Sequence, residues 1–118
     1  MSVDPAAIVT AFTKTVREDT RNRIVTNYLV KQRRFDGTDQ TFHDALHDLY
    51  ETQRNDPPIR HTISRLNLPE DRQFLAPWAA LIAYYTSRPL WPLAADVTKL
   101  IDRAYDELCA EGHIIRSS

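Results

Sequence analysis

Residues 74–85 read FLAPWAALIAYY, twelve positions without a charge and all but Pro77 apolar or aromatic. A helix that is apolar on every side is buried on every side. Crossing a bilayer takes about 20 such residues, so this stretch is too short to span one. It reads as a core helix, and the remaining segments read as its coat. The fold expected is all-α: one domain over residues 1–118, a compact bundle of five or six helices around a central apolar helix near residues 70–87. A chain of 118 residues is long enough for one core and too short for two. At 42% hydrophobic and 26% charged it has ordinary globular values, not those of a disordered polyelectrolyte. With Gly37 and Gly112 its only glycines, it lacks the turn residues that sheet folds need.

Working outward, Asp4-Pro5 is a helix start, a capping carboxylate before proline at the first helical position. No proline or glycine interrupts the chain from there to Phe35. The apolar positions nevertheless change sides, from Ile8, Phe12 and Val16 to Ile24, Val25, Tyr28 and Leu29. A break or bend near Asp19–Thr20 reconciles the two faces. Gly37 is expected to end this segment, and Thr38 or Asp39 to start a helix running to about Arg54. Its core face is Phe42, Ala45, Leu46, Leu49 and Tyr50. Asp56-Pro57-Pro58 stops that helix and starts a short one, with Ile59, Ile63 and Leu66 inward and Arg60 and Arg65 outside. Glu70 and Asp71 suit the first turn of the central segment, and Pro77 should kink or split it after Ala76. Arg88-Pro89-Leu90-Trp91-Pro92 reads as a rigid corner. A last helix from about Leu93 to Glu111 buries Leu93, Val97, Leu100, Ile101, Ala104, Tyr105 and Leu108, and Gly112 caps it.

Catalytic signals are thin. His43 and His47 have the i, i+4 spacing of a helical metal site, but Asp44 stands where the zinc proteases carry glutamate. A third ligand would have to be His61, His113 or a distant carboxylate. Half-exposed residues beside the core stripe is the reading preferred, with no metal and no cofactor. Cys109 would need a histidine held against it to act as a nucleophile, and Gly112 interrupts the helix before His113. There is no nucleophile elbow and no glycine-rich phosphate loop. The chain reads as non-enzymatic. A lone cysteine permits no internal disulfide. The start MSVDPAAIV lacks the basic and apolar regions of a signal peptide, so a cytoplasmic location is expected.

Charge is the stronger signal. Residues 14–34 carry Lys14, Arg17, Arg21, Arg23, Lys31, Arg33 and Arg34 against Glu18 and Asp19. Residues 37–56 carry Arg54 against Asp39, Asp44, Asp48, Glu51 and Asp56. On continuous helix Lys14, Arg17 and Arg21 share one edge, and Arg23, Lys31 and Arg34 point away from Tyr28 and Leu29. Such ribbons suit phosphate contacts, with Arg60 and Arg65 as further candidates. The acidic segment complements the basic one, so copies can pack side by side.

A compact helical chain with the basic string Lys14–Arg34 and the aromatic central helix FLAPWAALIAYY resembles the small subunits of CRISPR effector complexes. The resemblance covers size, helix number and charge layout, without a diagnostic motif. It implies a non-enzymatic subunit of a nucleoprotein complex, contacting RNA or single-stranded DNA backbone in several copies without reading sequence. The net charge of −1 departs from the more basic members. Two other readings compete. One is a helical adaptor or regulator working through protein partners. The other is a DNA-binding transcriptional regulator, against which the acidic last helix argues.

Overall fold

In the computed structural model, helix α1 (Pro5–Thr15) begins where the sequence marks it: Asp4 Oδ1 accepts a hydrogen bond from the Ala6 amide at 3.0 Å. The structure describes residues 3–33, 41–86 and 94–114. Helix α2 (Glu18–Lys31) follows after an extended Val16–Arg17 step. The expected break is therefore present, but it lies before Glu18 and not at Asp19–Thr20. Val16 has to bury its side chain at the end of α1, and Glu18 and Asp19 then fill the acidic first turn of α2.

Helix α2 stops at Lys31, before Phe35, with Arg33 in the left-handed region at φ 55°. Gly37 as a helix end, and Thr38 or Asp39 as a helix start, lie outside the described residues. Helix α3 (Phe42–Gln53) is capped by Thr41, whose Oγ1 accepts from the Asp44 amide at 3.2 Å. It buries Phe42, Ala45, Leu46 and Leu49, while Tyr50 is only half-buried. Asp56 and the two prolines open α4 (Pro57–Ser64), which buries Ile59 and leaves Arg60 and Arg65 exposed.

The central segment divides into a 3-10 helix (Glu70–Leu75) and α5 (Ala76–Thr86). The change falls one residue before the expected point, because Pro77, lacking an amide hydrogen, fits the first turn of a new helix. Helix α5 packs against α2, α3, α4 and α6 (Ala94–Ala110), and every residue from Trp78 to Ala83 is buried. Ala76, Ala79, Ala80 and Ala83 have short side chains that let these neighbours come close. Trp78, 1% exposed, lies flat on Tyr50 with ring centroids 3.8 Å apart and planes at 2°.

Helix α6 packs along α1 and the 3-10 helix and buries Val97, Ile101, Ala104, Tyr105 and Leu108. Leu93 and the proline corner with Trp91 lie outside the described residues. At its C-terminus Gly112, at φ 81°, turns the chain back. The His113 amide then donates to Leu108 O at 2.9 Å and the Gly112 amide to Cys109 O at 3.1 Å, the paired bonds of a glycine C-cap. The result is a compact all-α globule of six α-helices with no strand among the described residues. Its radius of gyration is 14.0 Å, against roughly 13.5 Å expected for this length. Among the described residues no helix is long and apolar enough to cross a membrane.

Candidate functional site

The cations of the basic block do not form one ribbon. Lys14 sits on α1 and Arg21 on α2, with Arg17 at the junction, so helical spacing does not carry across the three. Lys14 Nζ pairs with Glu111 Oε1 at 2.8 Å and Glu107 Oε1 at 3.5 Å, tying α1 to the end of α6. The hydrogen bond and charge of Glu111 raise the Lys14 ammonium above its ordinary value, and the same bond lowers the Glu111 carboxyl. Arg21 Nη1 donates to Thr13 O at 2.9 Å and to Val16 O, closing off the last carbonyls of α1.

Farther along α2, three side chains one turn apart reach the C-terminal end of α5. Arg23 Nη1 donates to Thr86 O at 3.3 Å and Asn27 Nδ2 to Tyr85 O at 2.7 Å. Lys31 Nζ donates to Tyr85 Oη at 3.2 Å and lies 5.8 Å from that ring's centre. Tyr85 Oη in turn donates to the buried Gln53 at 2.5 Å. Four cations thus answer carbonyl oxygens, a phenol or carboxylates of their own fold, two of them at the helix ends where negative partial charge collects. Arg23 and Lys31 stay exposed, and each reaches along the surface to the end of α5.

The exposed residues of α2 mix charge and neutrality: Asn22, Thr26 and Val30, the last 56% exposed, stand among Glu18, Asp19, Arg23 and Lys31, two acids and two bases. Arg17 is 82% exposed and 3.4 Å from Asp19. Arg33, Arg60 and Arg65 are exposed, and Arg34 lies outside the described residues.

His43 and His47 share a shallow cleft with Asp4, Asp44 and Asp48. Among the described residues no three histidine, cysteine or acidic side chains are grouped to hold a metal. His47 Nε2 instead lies 3.8 Å from Glu51 one turn on. Cys109 is half-buried against the core.

The structure also forms a groove that the sequence did not reveal. It holds about 510 Å³ between α1, α3, the 3-10 helix and the turn after α6. Ile8, Tyr50, Phe74, Trp78 and Ile114 make its apolar wall, with Val3 and Pro5 at one end. Glu70, Asp71 and His113 line it too, all three exposed. Arg72 faces elsewhere: its Nη1 bonds Asp102 Oδ1 at 2.5 Å, and its guanidinium lies 4.5 Å from the Tyr105 ring centre. Tyr105 donates to Asp71 Oδ2 at 2.9 Å, and this bond raises the phenol's pKa. Among the described residues neither Glu70 nor Asp71 has an ion-pair partner. Four separate stretches of chain supply the lining, so no local spacing announces it; the only hint is that acidic Glu70-Asp71 stands next to Phe74.

Fold and groove together define a class, a small all-α domain with an apolar concavity edged by carboxylates. Searched against known protein families, characterised proteins and solved structures, the chain matches none.

Proposed function

We propose that the chain is a non-enzymatic helical adaptor, a cytoplasmic subunit that docks a protein partner within a larger assembly. The observation that carries this reading is the apolar groove of about 510 Å³ between α1, α3, the 3-10 helix and the α6 turn. Sites for small ligands, of about 300–1,000 Å³, combine apolar walls with a few polar groups converging on the ligand. Here the charged side chains are exposed to water, an arrangement suited to side chains presented by a partner. Their exposure also favours a non-catalytic role, since general acids and bases are tuned by burial and close neighbours.

A photo-crosslinking residue at Phe74 and, separately, at Thr26 on the outward side of α2 tests this in the source cells. The expected result is a protein adduct from position 74. Adducts to RNA or DNA from position 26 alone would overturn the docking reading.

Exposed cations favour a second reading. Arg17 and Arg33 at the two ends of α2, Arg60 on α4 and Arg65 at its end are exposed, and Arg34 joins them by sequence position. In this reading several copies stand side by side and these residues contact RNA or single-stranded DNA backbone, like the small subunits of CRISPR effector complexes.

A further inference from the structure

Resting on the docking reading, we propose that the groove takes a segment that is both apolar and basic. An amphipathic helix of the partner places a leucine-sized or aromatic side chain against Tyr50, Phe74 and Ile114. A lysine or arginine on its next turn reaches Glu70 and Asp71.

The wall is built to receive an anchor. Buried Trp78 is stacked face to face on Tyr50 and holds that ring rigidly in place, with the Arg54 guanidinium 5.1 Å from the ring centre. Phe74 and Ile114 are only partly buried and leave apolar area uncovered beside it. Helical partners enter such grooves with apolar side chains at i, i+3 and i+4.

Charge selects which helix. Glu70 and Asp71 are exposed carboxylates on the groove, and the neighbouring Arg72 is held by Asp102 and the Tyr105 ring. A neutral apolar partner would cover these acids without giving them a counter-charge, and an acidic one would meet repulsion. A basic segment satisfies the apolar wall and the carboxylates together.

The test titrates two capped helical peptides of about 15 residues, long enough to hold a helix, into the full chain. Both carry leucines at i, i+4 and i+7; one has lysines on the flanking positions and the other glutamates. Amide signals of Ile8, Tyr50, Phe74 and Ile114 should move with the lysine peptide, which should bind about tenfold tighter than the glutamate one at low salt. Glu70→Lys, on an exposed side chain, should remove most of that preference while leaving the spectrum folded. Equal or tighter binding of the glutamate peptide overturns the basic assignment and leaves the docking reading standing. Signals at these residues that move on concentrating the protein alone give the groove to a second copy, which also overturns it. If neither peptide moves them, the inference fails, and the crosslink at position 74 decides separately whether any protein docks there.

Discussion

Arg21 and Arg17 lie four positions apart in the same basic string, and their surroundings make them different residues. Arg21 is half-buried and bonds two carbonyls at the end of α1, whereas Arg17 is 82% exposed. A hydrogen bond from a charged group contributes about 1.5–3 kcal/mol, but an exposed ion pair contributes about 0–1 kcal/mol. Arg21→Ala should therefore lower the unfolding free energy by about 2 kcal/mol, and Arg17→Ala by less than about 1 kcal/mol. Urea midpoints at unchanged slope measure both. Equal losses would show that Arg21 holds nothing together. It also follows that Arg21 is a poor residue for probing nucleic-acid contact, because reversing its charge would disturb the α1–α2 junction.

Two helix ends can be tested as elements. A Cβ added at Gly112 would meet nothing within 4 Å, so the cost of substitution there is the left-handed backbone alone. Gly112→Ala should cost about 1–2 kcal/mol, with Gly112→Asn costing less because asparagine tolerates that region better. If alanine were neutral by denaturant unfolding, the turn beside the groove would owe nothing to glycine.

The second is the clamp between α1 and α6. The Glu111 carboxyl has a lowered pKa in the fold, so its contribution is present above the ordinary carboxylate value and is lost as pH falls through the lowered one. The Lys14 ammonium is raised, so its contribution is present below the ordinary lysine value and is lost as pH rises through the raised one. The melting difference between wild type and Lys14→Gln should thus hold steady across neutral pH. It should vanish in acid below the carboxylate range and shrink with added salt, since the partners are about half exposed. A difference that ignores both pH and salt would mean the lysine acts through its methylenes and not its charge.

At the scale of the molecule, net charge and the bonding of four cations within the fold point the same way. With a net charge of −1 and Lys14, Arg21, Arg23 and Lys31 bonded within the fold, the isolated chain should bind unrelated RNA and DNA weakly. Each phosphate contact contributes about 0.7–0.9 log units of affinity loss per log unit of salt. A titration at two salt concentrations with wild type and an Arg17→Glu, Arg33→Glu double variant measures this. A steep salt slope that flattens in the double variant would move the conclusion to the nucleoprotein reading. Fold, by contrast, should fail at one residue of α5: Leu81 is fully buried, and Leu81→Asp should leave no cooperative unfolding transition.

Local pattern was enough to place most of the helices, because caps, prolines and apolar spacing act within a few residues. Asp4-Pro5, Asp56-Pro57-Pro58 and Gly112 stand where the sequence put them, and residues 76–83 form the buried centre almost without exception. The use of the charges was not legible. Lys14 finds Glu111 across 97 positions, and Arg23 finds the carbonyl of Thr86 across 63. A sequence shows how many cations a segment carries, but the element packed beside them decides whether they face water, a carboxylate or a helix end. The groove depended on packing in the same way. Its wall joins Ile8, Tyr50, Phe74, Trp78 and Ile114, apolar side chains that look like ordinary core until the tertiary fold leaves the space between them uncovered.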